Sequence, residues 1–173
     1  LTPRQVSRLF QEAIARAGGW LPFDRFMALA LYAPGLGYYA RDDRQFGLMP
    51  ESGSDFVTAP ELSPLFGRAL AAQVAQALQA SGTDTVYEFG AGSGALAAQL
   101  LDALDALDAP DGSGVRVQRY AIVELSTALR ERQRERLARF GERVQWLSAL
   151  PDTMQGVVVG NEVLDAMPVQ RVT

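Results

Sequence analysis

Apolar residues recur along this chain first at helical spacing, then in short runs separated by glycine. Val6, Leu9, Phe10, Ala13, Ile14 and Ala17 keep a helical period. Thr2-Pro3 with Gln5 forms a start signal for that helix, and Gly18-Gly19 forms its stop. A second helix is expected over Pro22 to Tyr32, with Phe23, Phe26, Met27 and Ala30 on one face and Pro34 ending it. That face reads as packed core, with a substrate platform as the alternative. Arg41 to Phe56 shows no period and carries Gly47, Pro50, Gly53 and Ser54, the make-up of a binding loop or lid. Just before it, Tyr38 and Tyr39 either line a pocket or pack half-exposed. Thr58 and Glu61 then have capping-box spacing, with Pro60 in the first turn. One helix is expected to run on from there through Leu62, Leu65, Phe66, Ala69, Leu70, Val74, Ala77 and Leu78 to Ser81-Gly82.

From Thr85 the pattern changes. TVYEFGAGSGAL reads as a buried strand, a tight turn and a helix, whose apolar positions Leu96, Leu100, Leu101, Leu104 and Leu107 follow. Gly90, Gly92 and Gly94 stand on alternate positions, as a backbone needs where it takes positive φ or lies against a ligand. Pro110 to Gly114 reads as a loop. A second strand spans Arg119 to Val123 and ends at Glu124. An arginine-rich helix from Leu125 to Phe140 closes at Gly141, and its interleaved Glu and Arg read as a solvated, ion-paired face rather than a nucleic-acid patch. Third and fourth strands span Arg143 to Leu147 and Gly156 to Val159. Strands alternating with helices predict an α/β fold with a parallel, Rossmann-like sheet, here incomplete, behind an N-terminal helical extension. The expected division is 1–57 for the extension and lid-like loop, and 58–173 for the ligand-binding domain with its first four strands.

The candidate chemistry sits where strands end. The turn's GAGSGA satisfies a dinucleotide fingerprint if Ala95 replaces the third glycine. Glu88 argues against a pyrophosphate, which a carboxylate repels, and for a ligand carrying an ammonium and a sulfonium. An anionic carboxylate on the same ligand still suits the following helix N-terminus. Glu124, at the end of the second strand, is placed to accept from both vicinal hydroxyls of a ribose, or else is a first-turn acid favoured by the helix dipole. Trp146 and Leu147, at the end of the third strand, either face an adenine or pack in the core. Asn161, Glu162 and Asp165 follow the fourth strand, at the edge where open α/β sheets bind ligands. They are candidate catalytic residues, or an Asn-initiated turn with a capping acid.

Composition narrows these options. In 173 residues there are 16 basic groups, all arginine, 20 acidic groups and a net charge of −4, so no electrostatic footprint for nucleic acid exists. Cysteine, histidine and lysine are absent, which removes thiol and amine nucleophiles, an imidazole base, disulfides and the usual zinc site. No metal is expected, and acid–base work falls to Asp, Glu or Tyr. No apolar run approaches the roughly 18 residues of a membrane span, and no signal peptide is visible. The expected address is cytoplasmic, and the chain reads as a fragment of a longer protein because a doubly wound sheet calls for more strands.

Read as E-x-G-x-G-x-G, the turn looks like motif I of class I S-adenosylmethionine-dependent methyltransferases. More widely, LYAPGLGYYA, GSDFVTAPELSPLFG, EFGAGSGALA, YAIVELSTALRERQRERL and GNEVLDAMPVQR resemble, in order, the N-terminal half of the MidA-like methyltransferases. The mitochondrial members of that family act in complex I assembly. The resemblance implies S-adenosyl-L-methionine as cofactor, S-adenosyl-L-homocysteine as product and a protein arginine as methyl acceptor. It places cofactor contacts at Glu88, Gly90, Ala91, Gly92, Gly94, Glu124 and Leu125. It also implies that Thr58, Pro60 and Glu61, and Asn161, Glu162 and Asp165, border the active site; carboxylates at Glu162 and Asp165 would suit a guanidinium. The alternatives are a methyltransferase-like assembly or binding factor without catalysis, and an NAD-dependent oxidoreductase.

Overall fold

A computed structural model of the chain describes residues 2–40, 57–107, 114 and 116–172. The loop expected over Arg41 to Phe56 lies outside them, as does all of the Pro110–Gly114 loop except Gly114. The chain divides into two compact units, Leu1–Asp43 with Glu162–Thr173, and Arg44–Asn161.

The larger unit is a four-stranded parallel sheet. Its strands are β1 (Thr85–Phe89), β2 (Arg119–Val123), β3 (Val144–Leu147) and β4 (Val157–Gly160), in the order β3-β2-β1-β4. The chain lays β1, β2 and β3 outward in one direction and returns to place β4 on the other side of β1. The C-terminal ends of β1 and β4 therefore flank a topological switch point, the crevice where such sheets take ligands. Around the sheet lie α3 (Ala59–Leu62), α4 (Pro64–Ser81), α5 (Ala95–Leu107) and α6 (Thr127–Leu137). Ala71, Val74 and Leu78 of α4 join Leu96, Leu100, Leu101 and Leu104 of α5, Val86 of β1, and Tyr120 and Ile122 of β2 in one core. Burying each of these leucines contributes roughly 1.5–3 kcal/mol.

Three expectations need correction. The helix expected to run unbroken from Thr58 to Ser81 is two helices. Pro64 has no N–H to give and disfavours helical backbone before it, so Ser63 is extended (φ −158°, ψ 140°). The Ser63 hydroxyl then caps α4 by accepting from the Leu65 N–H at 3.1 Å. The helix expected from Leu125 starts at Thr127, where the Ser126 hydroxyl accepts from Leu129 N–H at 3.3 Å, and its end passes into a 3₁₀ turn over Ala138–Arg143. The arginines of this region do not form an ion-paired helix face. Among the described residues, Arg136, Arg139 and Arg143 pair with Glu61, Asp102 and Asp105 on other elements.

In the smaller unit, α1 (Pro3–Arg16) and α2 (Phe23–Tyr32) meet through Phe10 and Phe26, whose ring centroids are 4.8 Å apart. At the start of α1, the Gln5 side chain accepts from the Thr2 N–H at 3.0 Å. The Tyr32 hydroxyl donates to the Ala166 carbonyl at 2.7 Å, tying the stretch after the sheet to α2. No helix among the described residues is long and apolar enough to cross a membrane.

The entry into β4 is set by one glycine. Gly156 has φ 148°, and a Cβ there would stand 2.2 Å from the Thr85 carbonyl oxygen at the start of β1. Gly156→Ala is therefore expected to destabilise the sheet by at least about 2 kcal/mol, read as a lower midpoint in denaturant unfolding. A midpoint equal to wild type would show that β1 and β4 do not need this close approach.

Candidate cofactor site

The site begins where β1 stops. The Gly90 N–H donates to the Val123 carbonyl at 3.0 Å, carrying the β1–β2 ladder one step beyond the strand. Gly90, Gly92 and Gly94 then take φ 61°, 55° and 80°, so the turn is closed by the left-handed conformations that glycine adopts without strain. The Gly94 N–H returns to the Ala91 carbonyl at 2.8 Å, and Ala91 is buried beneath the turn. The Ser93 hydroxyl accepts from Ala95 N–H at 3.3 Å and from Arg136 Nη1 at 2.8 Å, and it donates to Glu61 Oε1.

That last bond decides the role of Glu61. Thr58 is the residue before α3, but it makes no side-chain cap, and the Glu61 carboxylate turns to the glycine turn and to Arg136 (3.4 Å). The capping-box reading of Thr58 and Glu61 is thus replaced by a link between α3 and the turn. Pro60 is buried, and its carbonyl accepts from Gln99 Nε2 of α5 at 2.6 Å.

Glu88 lies inside β1 rather than past its end and is 2% exposed. Its strand partner is Ile122, so Tyr120, two residues earlier on β2, shares its face. The Tyr120 hydroxyl donates to Glu88 Oε2 at 2.7 Å. Burial pushes the Glu88 carboxyl up to about 7; the Tyr120 bond opposes this and the nearby Glu124 adds to it. Burial likewise holds Tyr120 well above the usual phenol value.

Glu124 follows β2 directly and is 7% exposed. Its Oε1 accepts from Ser126 N–H at 2.9 Å and its Oε2 from Gln133 Nε2 at 3.1 Å. Burial raises its pKa, and these bonds, with a smaller contribution from Arg130, pull it back. Each oxygen keeps further acceptor capacity, as a pair of ribose hydroxyls requires. Leu125 leaves its side chain 79% exposed beside this acid, an apolar surface suited to covering a ring. Trp146 is half-buried; its indole N–H donates to Gln133 Oε1 at 2.8 Å, and Arg134 lies over its ring at 5.3 Å from the centroid. Leu147, half-buried beside it, presents its carbonyl to Arg130 Nη2 at 2.9 Å.

The structure therefore brings Gly90, Ala91, Gly92, Gly94, Glu124, Trp146, Leu147, Pro60 and Glu61 into one connected unit. Asn161 belongs to the same unit, just past β4, whereas Glu162 and Asp165 belong to the other. In that smaller unit, Glu162 is exposed and holds φ 53°, a conformation non-glycine residues seldom keep without reason. Tyr39 stacks on Tyr32 at 5.8 Å; its pKa is raised by burial first, then by Tyr32, Asp165 and Glu162.

Two residues of α6 were missed in the sequence reading. Arg130 donates to the Glu124 carbonyl at 2.7 Å as well as to Leu147, and Gln133 is completely buried. A signal was present, because Leu129, Gln133 and Leu137 are spaced four apart and all three are buried. A glutamine within the buried stripe of a helix calls for partners.

A parallel sheet of this order, with a glycine turn at its switch point and an acid ending the neighbouring strand, is the cofactor-binding half of a class I methyltransferase fold. Residues 69–173 match the family model described as "Putative S-adenosyl-L-methionine-dependent methyltransferase", and the chain belongs to that family. A solved Burkholderia thailandensis protein with S-adenosyl-homocysteine bound is 56% identical, with a TM-score of 0.85 over 95% of this chain and 42% of that one. A second solved protein from that organism is 54% identical, with a TM-score of 0.78 over 96% of this chain and 41% of the other. The mitochondrial protein arginine methyltransferase NDUFAF7 homolog of Caenorhabditis elegans is 29% identical over 90% of this chain and 40% of its own length. Its Danio rerio counterpart is 27% identical over 90% of this chain and 41% of its own. The chain thus spans about two fifths of the length of the relatives it matches.

The buried Glu88 generates a pH prediction. A carboxyl held above its ordinary value keeps a proton in the folded state that the unfolded chain has released. Its contribution to stability is complete below pH 4.5 and declines until pH reaches about 7, where it levels off. Glu124 acts in the same direction, so the contribution of Glu88 is read as the difference between wild type and Glu88→Gln. Between these pH values the wild type is expected to lose more unfolding free energy than the variant, by up to about 3 kcal/mol. Parallel curves from denaturant titrations across the range would refute it.

Proposed function

We propose that the full-length protein is an S-adenosyl-L-methionine-dependent methyltransferase acting on a protein arginine. The observation that carries the cofactor reading is the glycine turn at positive φ beside the buried, hydrogen-bonded carboxylate of Glu124. The residues present fit that molecule. Gly90, Gly92 and Gly94 lay bare backbone for the methionyl part, Glu124 has acceptor capacity left for two ribose hydroxyls, and Leu125, Trp146 and Leu147 offer apolar surface to the adenine. When bound, this cofactor supplies an electrophilic methyl group on a sulfonium. The protein's part is then mainly alignment of the acceptor, which supplies most of the rate in such a displacement.

The acceptor reading is supported by the names of the relatives, which are protein arginine methyltransferases. In this reading, Glu162 and Asp165 pair with the guanidinium, fix its plane and receive the proton that the methylated nitrogen gives up. Asn161 orients the group from its amide.

The test has two arms on the full-length protein. In calorimetric titration, S-adenosyl-homocysteine and S-adenosylmethionine are expected to bind and NAD is not. Gly92→Val is expected to weaken both by at least about tenfold, since a β-branched residue does not hold its φ without strain. NAD binding alone would sink the cofactor reading. In the second arm, Glu162→Gln is expected to lower turnover on an arginine-containing protein by about a hundredfold, with S-adenosyl-homocysteine affinity unchanged. Methyl transfer at the wild-type rate would remove Glu162 from the mechanism, and cofactor binding without any transfer would favour an assembly factor.

A further inference from the structure

We infer that Gln133 is the positioning residue of the cofactor site. Its single amide holds the Glu124 carboxylate, the glycine turn and Trp146 in one fixed arrangement. Nε2 donates to the Gly92 carbonyl at 2.8 Å and to Glu124 Oε2 at 3.1 Å, and Oε1 accepts from the Trp146 indole N–H at 2.8 Å. The side chain has no exposure at all, and its bond to Glu124 is buried, while its partners Gly92 and Trp146 are half-buried.

The partners dictate both the residue type and the way the amide faces. An indole N–H only donates, so an acceptor must meet it. A backbone carbonyl and an ionised carboxylate only accept, so a donor with two hydrogens must meet them. A primary amide has both ends. Leucine or methionine would fill the space and leave three polar groups, the buried Glu124 carboxylate among them, short of a partner. A glutamate would turn an oxygen toward the Glu124 carboxylate and the Gly92 carbonyl. Asparagine is one methylene too short to span the three from the same helix position.

The approach is close by design of the backbone. A Cβ at Gly94 would stand 3.4 Å from Gln133 Cγ, at van der Waals contact with α6, and it is the φ of 80° there that calls for glycine. On the other side, Ser126 N–H fixes Glu124 Oε1. The carboxylate is therefore held at both oxygens, and its remaining lone pairs are set in direction before any ligand arrives. Preorganisation of this kind strengthens binding by removing the cost of ordering the site.

This inference rests on the reading of Glu124 as the ribose-binding acid, and the experiment separates the two. Calorimetric titration of the full-length protein uses S-adenosyl-homocysteine and its 2′-deoxy analogue, with Gln133→Met, Gln133→Asn and Glu124→Ala beside wild type. Wild type is expected to prefer the ribose ligand by at least about tenfold, the discrimination a site built around a hydroxyl commonly gives. Gln133→Met is expected to narrow that preference to about threefold or less, with the fold retained by circular dichroism. Gln133→Asn, which keeps the amide but withdraws it, supplies the same comparison if the methionine variant does not fold. A purely structural role predicts weaker binding of both ligands with the preference intact, and that outcome would overturn the proposal while Glu124→Ala still abolishes the preference. If Glu124→Ala leaves the preference untouched, the ribose reading falls and the proposal falls with it.

Discussion

The structure depends on how β1 ends. This strand is paired with β2 along its whole length and with β4 from Val86 to Phe89. Where it stops, the ladder runs out and the next amides need other partners. Gly90 supplies the first by reaching the Val123 carbonyl, and the three left-handed glycines then reverse the chain within five residues to start α5. The ligand cradle is thus the solution to a backbone problem. A turn tight enough to close the ladder leaves bare peptide at the C-terminal edge, and a side chain at Gly90, Gly92 or Gly94 would spoil both the turn and the cradle.

Everything polar near that edge is arranged around the same constraint. Glu88 and Glu124 are buried carboxyls whose ionised forms lose hydration, and each is matched with donors: Tyr120 for the first, Ser126 and Gln133 for the second. The two are not equivalent. Glu88 sits within the strand, with one side-chain donor, and its proton is held to about pH 7. Glu124 sits at the strand end, gathers donors from a loop and a helix, and keeps lone pairs free. A difference in position of one strand end separates an acid that shapes the core from an acid that can hold a ligand.

Much of this was legible in the sequence. The bounds of β2, the start of the glycine turn and the acid at Glu124 follow from short apolar runs meeting glycine or glutamate. What misled was local chemistry with more than one outlet. Thr58 and Glu61 have capping-box spacing, yet Glu61 bonds across space to Ser93, and Pro64 breaks a helix whose apolar period runs on regardless. The arginine-rich helix does carry a solvated face, with Glu131, Arg134 and Glu135 exposed, but charge counting ignores direction. Its Arg130 and Gln133, three apart and so on one side, turn inward to the sheet edge. Long-range partners of this kind leave no mark in spacing alone, apart from a polar residue standing in an apolar stripe.

The inward face of α6 ties together strand ends that the chain places far apart in sequence. A turn, an acid and an aromatic on three separate strand ends are held only by their own short loops, each able to shift independently. Arg130 binds the carbonyls of Glu124 and Leu147, and Gln133 binds Gly92, Glu124 and Trp146. Both reach from one helix, so a displacement of any one loop must break at least one of these hydrogen bonds. The ends of β1, β2 and β3 are thereby converted from three adjacent features into one connected unit by a single helix.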